Sequence, residues 1–306
     1  MVEGACTKLQ GRARRWPDEV RIRSRFVCRS TPAPCDPSDR KLPARRHRPP
    51  ATRLLSPRGI ALRFYLIALC EAQMRTRAGE TPTNHMPLLA GGDDTGWTDL
   101  IAVPVEAQGA GITRISRADK KRRMVISAIE ALAHPEVQLV HLPHGQRPKA
   151  KGKYEEFRLL DEGGVREDGE VPPYTVPRKG EKKIFSLPSA LFSNGWIHLL
   201  DNTELAFLMM IALDSEGRDD PVKIPGDDRI LYYGLGRDAY EAHLTLEHFG
   251  LIDVEIARNR HDDMKVADYG NGGKALLHSF TMIPDGFKRP ALTTIRQALK
   301  GNPTTS

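Results

Sequence analysis

Long apolar runs are missing from this sequence. The longest, Leu205 to Leu213, has nine residues, and a bilayer-spanning helix needs roughly 20. A helical membrane protein is therefore not expected. The four cysteines, Cys6, Cys28, Cys35 and Cys70, contain no Cys-x-x-Cys pair. Cys28 and Cys35 taken with His47 fit no zinc spacing, so free thiols in a reducing, cytoplasmic compartment are expected. No apolar core follows the charged stretch Arg12 to Arg29, and the N-terminus does not read as a secretory signal. A Gly-rich phosphate loop after a strand is lacking, as are paired metal ligands at i and i+4 of a helix. The histidines of His141-x-x-His144 and His261-Asp262-Asp263 can be drawn as ligands only in isolation. The carboxylate pairs Asp93-Asp94, Asp219-Asp220 and Asp227-Asp228 all lie beside Gly or Pro, where solvated turn acids are the default. The expectation is a protein that is not an enzyme and uses no cofactor and no metal.

What is present is an uneven distribution of charge. The chain has 306 residues and a formal net charge of +7, a length suited to about two domains. Residues 1–53 hold 14 Lys/Arg against 5 Asp/Glu, a net of +9, which leaves the remaining 253 residues at −2. The pI of about 9.3 thus belongs to the N-terminal segment, and a basic pI alone does not make the rest a nucleic-acid binder. Arg- and Pro-rich, without apolar periodicity, residues 1–53 read as disordered. Three explanations of them stay open: a basic arm that follows phosphates, a solvated tail, or translation from an upstream start codon.

From Pro57 onward the pattern is mostly α with β-hairpins. Residues 58–75 predict a helix capped by Ser56, and its wide apolar stripe puts it at the centre of a core. Residues 116–133 predict a second helix, with Ser116 as N-cap and Asp119 completing a near capping box. Strands are expected over 137–142 and 154–160. Residues 161–183, with Pro172-Pro173, read as a linker. In the second half, a short helix is expected over 186–192, a helix from Asn202 to about Leu213 and a short one near 227–233. A third follows over 237–249, closed by Gly250. Strands over 251–257 and 275–283 flank a polar loop. The expected layout is a disordered tail 1–53, module one 54–160, a linker 161–183, module two 184–290 and a C-terminal tail 291–306.

Each module thus ends in an amphipathic helix that runs into a hairpin. Leu246 to Val254 (LEHFGLIDV) resembles the end of a winged-helix recognition helix entering its first wing strand, with Gly closing the helix. The chain as a whole resembles tandem winged helix-turn-helix proteins, and among these the plasmid-type replication initiators. The resemblance implies two DNA-binding modules.

Charge placement gives that implication residues. On a helical wheel of 117–133, Ala118, Val125, Ala128, Ile129 and Leu132 share one face. Lys120, Arg123 and Ser127 share the opposite one, with Arg122 on the flank. Arg114, Arg117, Lys120, Lys121, Arg122 and Arg123 crowd the helix start, where positive charge opposes the helix dipole by about 0.3–1 kcal/mol per exposed group. A phosphate backbone at that end makes the same charges favourable, and the start of a recognition helix is the part that reaches base edges. The loop between the strands adds Arg147, Lys149, Lys151 and Lys153, with no acid from 143 to 153. In module two, Arg237 stands beside Glu241, and Arg258 and Arg260 share their loop with Asp262 and Asp263. That mixed surface suits DNA and a protein or dimer partner equally. The expectation is a double-stranded DNA binder, a transcriptional regulator or a plasmid- or phage-type replication initiator. The alternative of another class is a scaffold that uses the winged-helix fold to hold protein.

Overall fold

A computed structural model describes residues 1–37, 41–56, 59–90, 94–102, 116–144, 152–165, 169–257 and 276–301. Its helices are joined by small antiparallel sheets, and the described residues place three two-stranded ones. In chain order the first half has α1 (Val2–Gly11), β1 (Glu19–Arg23), α2 (Pro50–Arg53), α3 (Ala61–Arg75), α4 (Arg117–Ala133), β2 (Val140–His141) and β3 (Arg158–Leu159). The second half has β4 (Ile184–Pro188), α5 (Ala190–Ser193), α6 (Trp196–Leu199), α7 (Asn202–Ser215), α8 (Gly226–Leu231), α9 (Arg237–Tyr240) and α10 (Ala242–His248). It closes with β5 (Ile252–Glu255), β6 (Ser279–Met282) and α11 (Ala291–Gly301).

Helix α3 is the axis of the core. Leu62, Phe64, Tyr65, Leu66, Ile67 and Leu69 on it are all fully buried, so it is covered on every side, as its broad apolar stripe foretold. It starts at Ala61, with Ile60 in the cap position. The expected first residue, Pro57, lies outside the described residues. Phe64 meets Trp97 at 5.3 Å and Phe157 at 5.8 Å between ring centroids. That contact fastens α3 to a 3₁₀ turn, Trp97–Leu100, and to the approach of β3. Aromatic pairs at such separations add to plain area burial.

The expectation of a disordered N-terminal segment is overturned. Strand β1 pairs antiparallel with β4, from Glu19 opposite Pro188 to Arg23 opposite Ile184. Leu9, Val20, Ile22 and Phe26 are fully buried, and Cys6 and Val27 nearly so. Apolar residues come here one or two at a time, too sparse for any period, and they find cover only from distant parts of the chain. Phe26 rests on Tyr65, 5.1 Å between centroids. The four cysteines are free thiols; Cys6, expected in a loose tail, is a core residue, and so is Cys70 on α3.

Residues 161–183 are likewise not a free linker. Glu162 and Tyr174 within them are fully buried. Arg23 donates through one NH to Glu162 at 2.7 Å, through Nε to Glu181 at 2.8 Å and to the Thr175 carbonyl at 3.0 Å. Arg25 reaches Asp161 at 2.7 Å. The segment 186–192, expected as a helix, is β4 followed by the single-turn α5. Phe185 and Leu187 are buried and their neighbours half-exposed, the period of two that a strand on a core produces. The C-terminal stretch expected as tail contains α11, with Ala291 buried.

The remaining expectations hold in part. Ser116 caps α4, accepting from the Asp119 amide at 3.0 Å, and Asp201 with Glu204 forms a capping box on α7. The expected strands 137–142 and 154–160 shrink to the two-residue β2 and β3. The helix expected over 237–249 breaks at Glu241 into α9 and α10, and Gly250 follows at φ +66°. The sheet of the second half gains a bridge between Val222 and Phe280.

Two substitutions test this account of the N-terminal segment. Phe26→Ala is expected to cost about 3–5 kcal/mol in denaturant unfolding, the range for a large buried aromatic. Arg23→Ala strands the fully buried Glu162 carboxylate and is expected to cost about 3–5 kcal/mol. A truly loose tail would leave the Phe26→Ala midpoint where it is.

Candidate nucleic-acid interface

Helix α4 packs on α3 through Val125, Ala128, Ile129 and Leu132, all buried. Ala118, assigned to that face by the wheel, is exposed, because the first turn of α4 extends beyond the α3 contact. Arg117, Arg122, Arg123 and Ser127 are exposed, and Lys120 and Lys121 are half-buried. Arg114 lies outside the described residues. Burial holds the Lys121 ammonium below its ordinary value, and Asp99 opposes that shift. The outward set is therefore led by three arginines, with Lys121 turned toward the protein.

The hairpin that follows is fastened to the far end of α4. Tyr154 donates its hydroxyl to Glu130 at 2.5 Å, and the Lys153 ammonium lies 5.0 Å from the Tyr154 ring centroid. His144 meets Glu156 at 3.2 Å. Arg147, Lys149 and Lys151 lie outside the described residues. The acids that balance this loop stand just past its end. Glu130, Glu155, Glu156 and Glu170, with Arg158, line a groove of about 1380 Å³ between the end of α4, the hairpin and residues 81–87. That groove is the wrong sign for a phosphate backbone. Positive charge is thus concentrated at the start of α4 and negative charge at its end.

Module two presents a different face. Arg237 is exposed at the start of α9, its Nε 3.9 Å from Glu241. Glu241, Glu247 and His248 are exposed. So are three large apolar side chains, Leu244 at 58%, Ile256 at 64% and Leu276 at 53%. Arg258 and Arg260 lie outside the described residues. Tyr233 fills the interior and donates to Asp214 at 2.6 Å, so it is not available for base stacking. Among the described residues no group of three or more His, Cys, Asp or Glu is placed to hold a metal. Among them, too, no helix is long and apolar enough to cross a membrane.

The sequence reading missed that Arg29, Arg45, Arg46, Arg48 and Arg53 hold fixed positions, with Arg45 and Arg46 exposed. The Arg29 amide donates to the Tyr232 carbonyl at 3.0 Å and the Ala33 amide to that of Leu231 at 2.9 Å. This seats the segment on the end of α8. The only sequence signal was the alternation of Val20 and Ile22 upstream, followed by Phe26-Val27, and it was too short to weigh against the charge around it.

His198 on α6 is buried close to the start of α4. Its Nδ1 accepts from the Ala102 amide at 3.5 Å, and its Nε2 has no partner among the described residues. Burial, then the charges of Arg63 and Lys121, push its pKa down to about 3. No protein-family model, curated protein or solved structure matches this chain.

His198 gives a pH prediction. Because its folded value is depressed, it contributes stability above its unfolded value, near 6.5, and that contribution is lost as pH falls toward 3. The loss should approach about 1.4 kcal/mol per pH unit within that window. His198→Gln should flatten this part of the stability–pH curve, and an unchanged slope in the variant would remove the histidine as its source.

Proposed function

We propose that this chain binds double-stranded DNA through two winged-helix modules, as a sequence-specific transcriptional regulator. The observation that carries the reading is the start of α4. Arg117, Arg122 and Arg123 are exposed there, on a helix that leads into a hairpin. Arg117, in the first turn, opposes the helix dipole, and an approaching phosphate backbone reverses that cost and pairs with all three charges. The order of elements over residues 202–282 adds support. Helix α7, the Val222 bridge strand, α8, α9 with α10 and the β5–β6 hairpin follow one another, and this is the order of a winged helix. Glycines at 234 and 236 lie in the turn between α8 and α9, as in helix-turn-helix motifs. The same geometry serves a replication initiator of plasmid or phage type, which needs two half-site readers in one chain.

A second reading rests on Leu244, Ile256 and Leu276. Apolar side chains exposed to that degree, among Glu241 and Glu247, suit a protein surface better than phosphates. A scaffold would use that face.

Salt separates the readings. Full-length protein titrated with a selected duplex should show a log–log salt slope of roughly −4 to −5, for about five phosphate contacts. Arg123→Ala should lose about 1–3 kcal/mol of discrimination at one base pair. Lys149→Ala and Lys151→Ala should weaken selected and random duplexes alike. Absent or salt-insensitive binding would leave the scaffold.

A further inference from the structure

Four arginines of the N-terminal segment, Arg29, Arg45, Arg48 and Arg53, donate to main-chain carbonyls, and Arg46 donates to a histidine ring. Arg45 donates through Nε to the Arg53 carbonyl at 2.9 Å and Arg48 to that of Pro43 at 2.8 Å. Arg53, itself buried, donates to the carbonyls of Arg48 and Glu136, both at 2.6 Å. Arg29 donates to the Thr31 carbonyl at 3.1 Å, and Arg46 to the His47 ring at 3.1 Å. Among the described residues none of these five forms an ion pair. Burial first, then the neighbouring charge of Arg45, lowers the pKa of Arg48. Arg53 is lowered by burial and by Arg29 and Arg45, and only Glu136 opposes. Like charges gathered with no ion pair among the described residues weaken the folded state, so packing alone does not account for the group.

Its position is specific. A Cβ on Gly234 would meet Thr52 Oγ1 at 2.8 Å and the Arg48 side chain at 3.1 Å, and one on Gly236 would meet Leu42 at 3.4 Å. Residues 42–52 therefore lie against the turn that joins α8 to α9. Arg45 and Arg46 are exposed there. The carboxylates on the adjoining helix, Asp227 and Asp228, are exposed at its start, and α8 ends at this turn. In helix-turn-helix docking the recognition helix enters the groove from such a turn while flanking groups contact the backbone. Guanidinium forks match phosphate oxygens two at a time.

We propose that Arg45, Arg46 and Arg48, carried by the N-terminal segment, form a clamp for duplex DNA phosphates at the α8–α9 turn of module two. The inference rests on the DNA reading above. It gives the second module the positive charge that its own helices lack, since α9 and α10 set Arg237 against Asp238, Glu241 and Glu247.

The test is titration of full-length protein with a 20-base-pair duplex at several salt concentrations, with thermal melting to confirm the fold. The double variant R45A/R46A should flatten the log–log slope by about 0.9 per arginine, about 2 in all. Arg46→Ala alone touches only the His47 contact and should give half that change without a shift in melting. The control R14A/R15A removes two exposed arginines from outside residues 29–53 and should leave the slope nearly intact. Binding by the native protein with an unchanged slope in R45A/R46A, or an equal change in the control, overturns the clamp alone. No salt-dependent binding by the native protein overturns the DNA reading, and the clamp with it.

Discussion

The pairing of β1 with β4, locked by the Arg23 guanidinium, is the constraint on which the architecture depends. Strand β1 lies near the N-terminus and β4 opens the second half, so their ladder closes a loop of more than 150 residues. Loop closure of that length costs entropy that grows only slowly with length, but something must pin the ends. Arg23 does so from the last position of β1, reaching two carboxylates and a carbonyl of residues 162–181. A buried ion pair of this kind adds little net stability, because desolvation offsets most of its attraction. Its effect is positional. With Glu162 fully buried, any slip of β1 would leave a charge without its partner, so register is strongly specified.

That constraint explains which parts of the fold were legible in the sequence. Helices α4 and α7 were, because each carries its own cap, Ser116 with Asp119 and Asp201 with Glu204, and a long apolar pattern. Local signals of that sort survive whatever the rest of the chain does. The N-terminal segment was not legible, because Leu9, Val20, Ile22 and Phe26 have meaning only beside α3 and β4. Composition measures whether a segment can build its own core, and this one borrows a core. Strand β4 was misread for the opposite reason. Its apolar residues run on into Leu191 and Phe192, and the continuous pattern hides the two-residue period of Phe185 and Leu187.

The candidate site divides in the same way. The basic start of α4 could be read from the order of residues, since neighbours along one helix stay neighbours in space. The acids that confine this charge could be only half read. Glu155 and Glu156 sit immediately beyond the loop counted as free of acid, and Glu130 joins them because Tyr154 reaches back to α4. The arginines beside the α8–α9 turn could not be read at all. About 190 residues separate Arg45 and Arg46 from Gly234 and Gly236, and the main-chain bonds that seat the segment, Arg29 to Tyr232 and Ala33 to Leu231, leave no pattern in the sequence.

Charge along α4 runs against the helix dipole at its start, with Asp119 the one acid of the first turn. The Ser116 hydroxyl accepts from the Asp119 amide and donates to the Asp119 carboxylate at 2.7 Å, and Arg117, Arg122 and Arg123 outnumber that one acid. The dipole acts within the first turn, so Arg117 alone meets it, at about 0.3–1 kcal/mol, and Arg122 and Arg123 in the second turn add like charge beside it. The helix holds because Val125, Ala128, Ile129 and Leu132 are buried against α3, and each fully buried side chain of the larger kind is worth about 1.5–3 kcal/mol. Packing at one end thus stabilises an electrostatically unfavourable arrangement at the other. The same division recurs where Arg53 is buried and Arg48 half-buried beside Arg45, with no ion pair to either among the described residues. In both places the fold holds cations where its own stability gains nothing from them, and a polyanion is the class of ligand that would turn that cost into affinity.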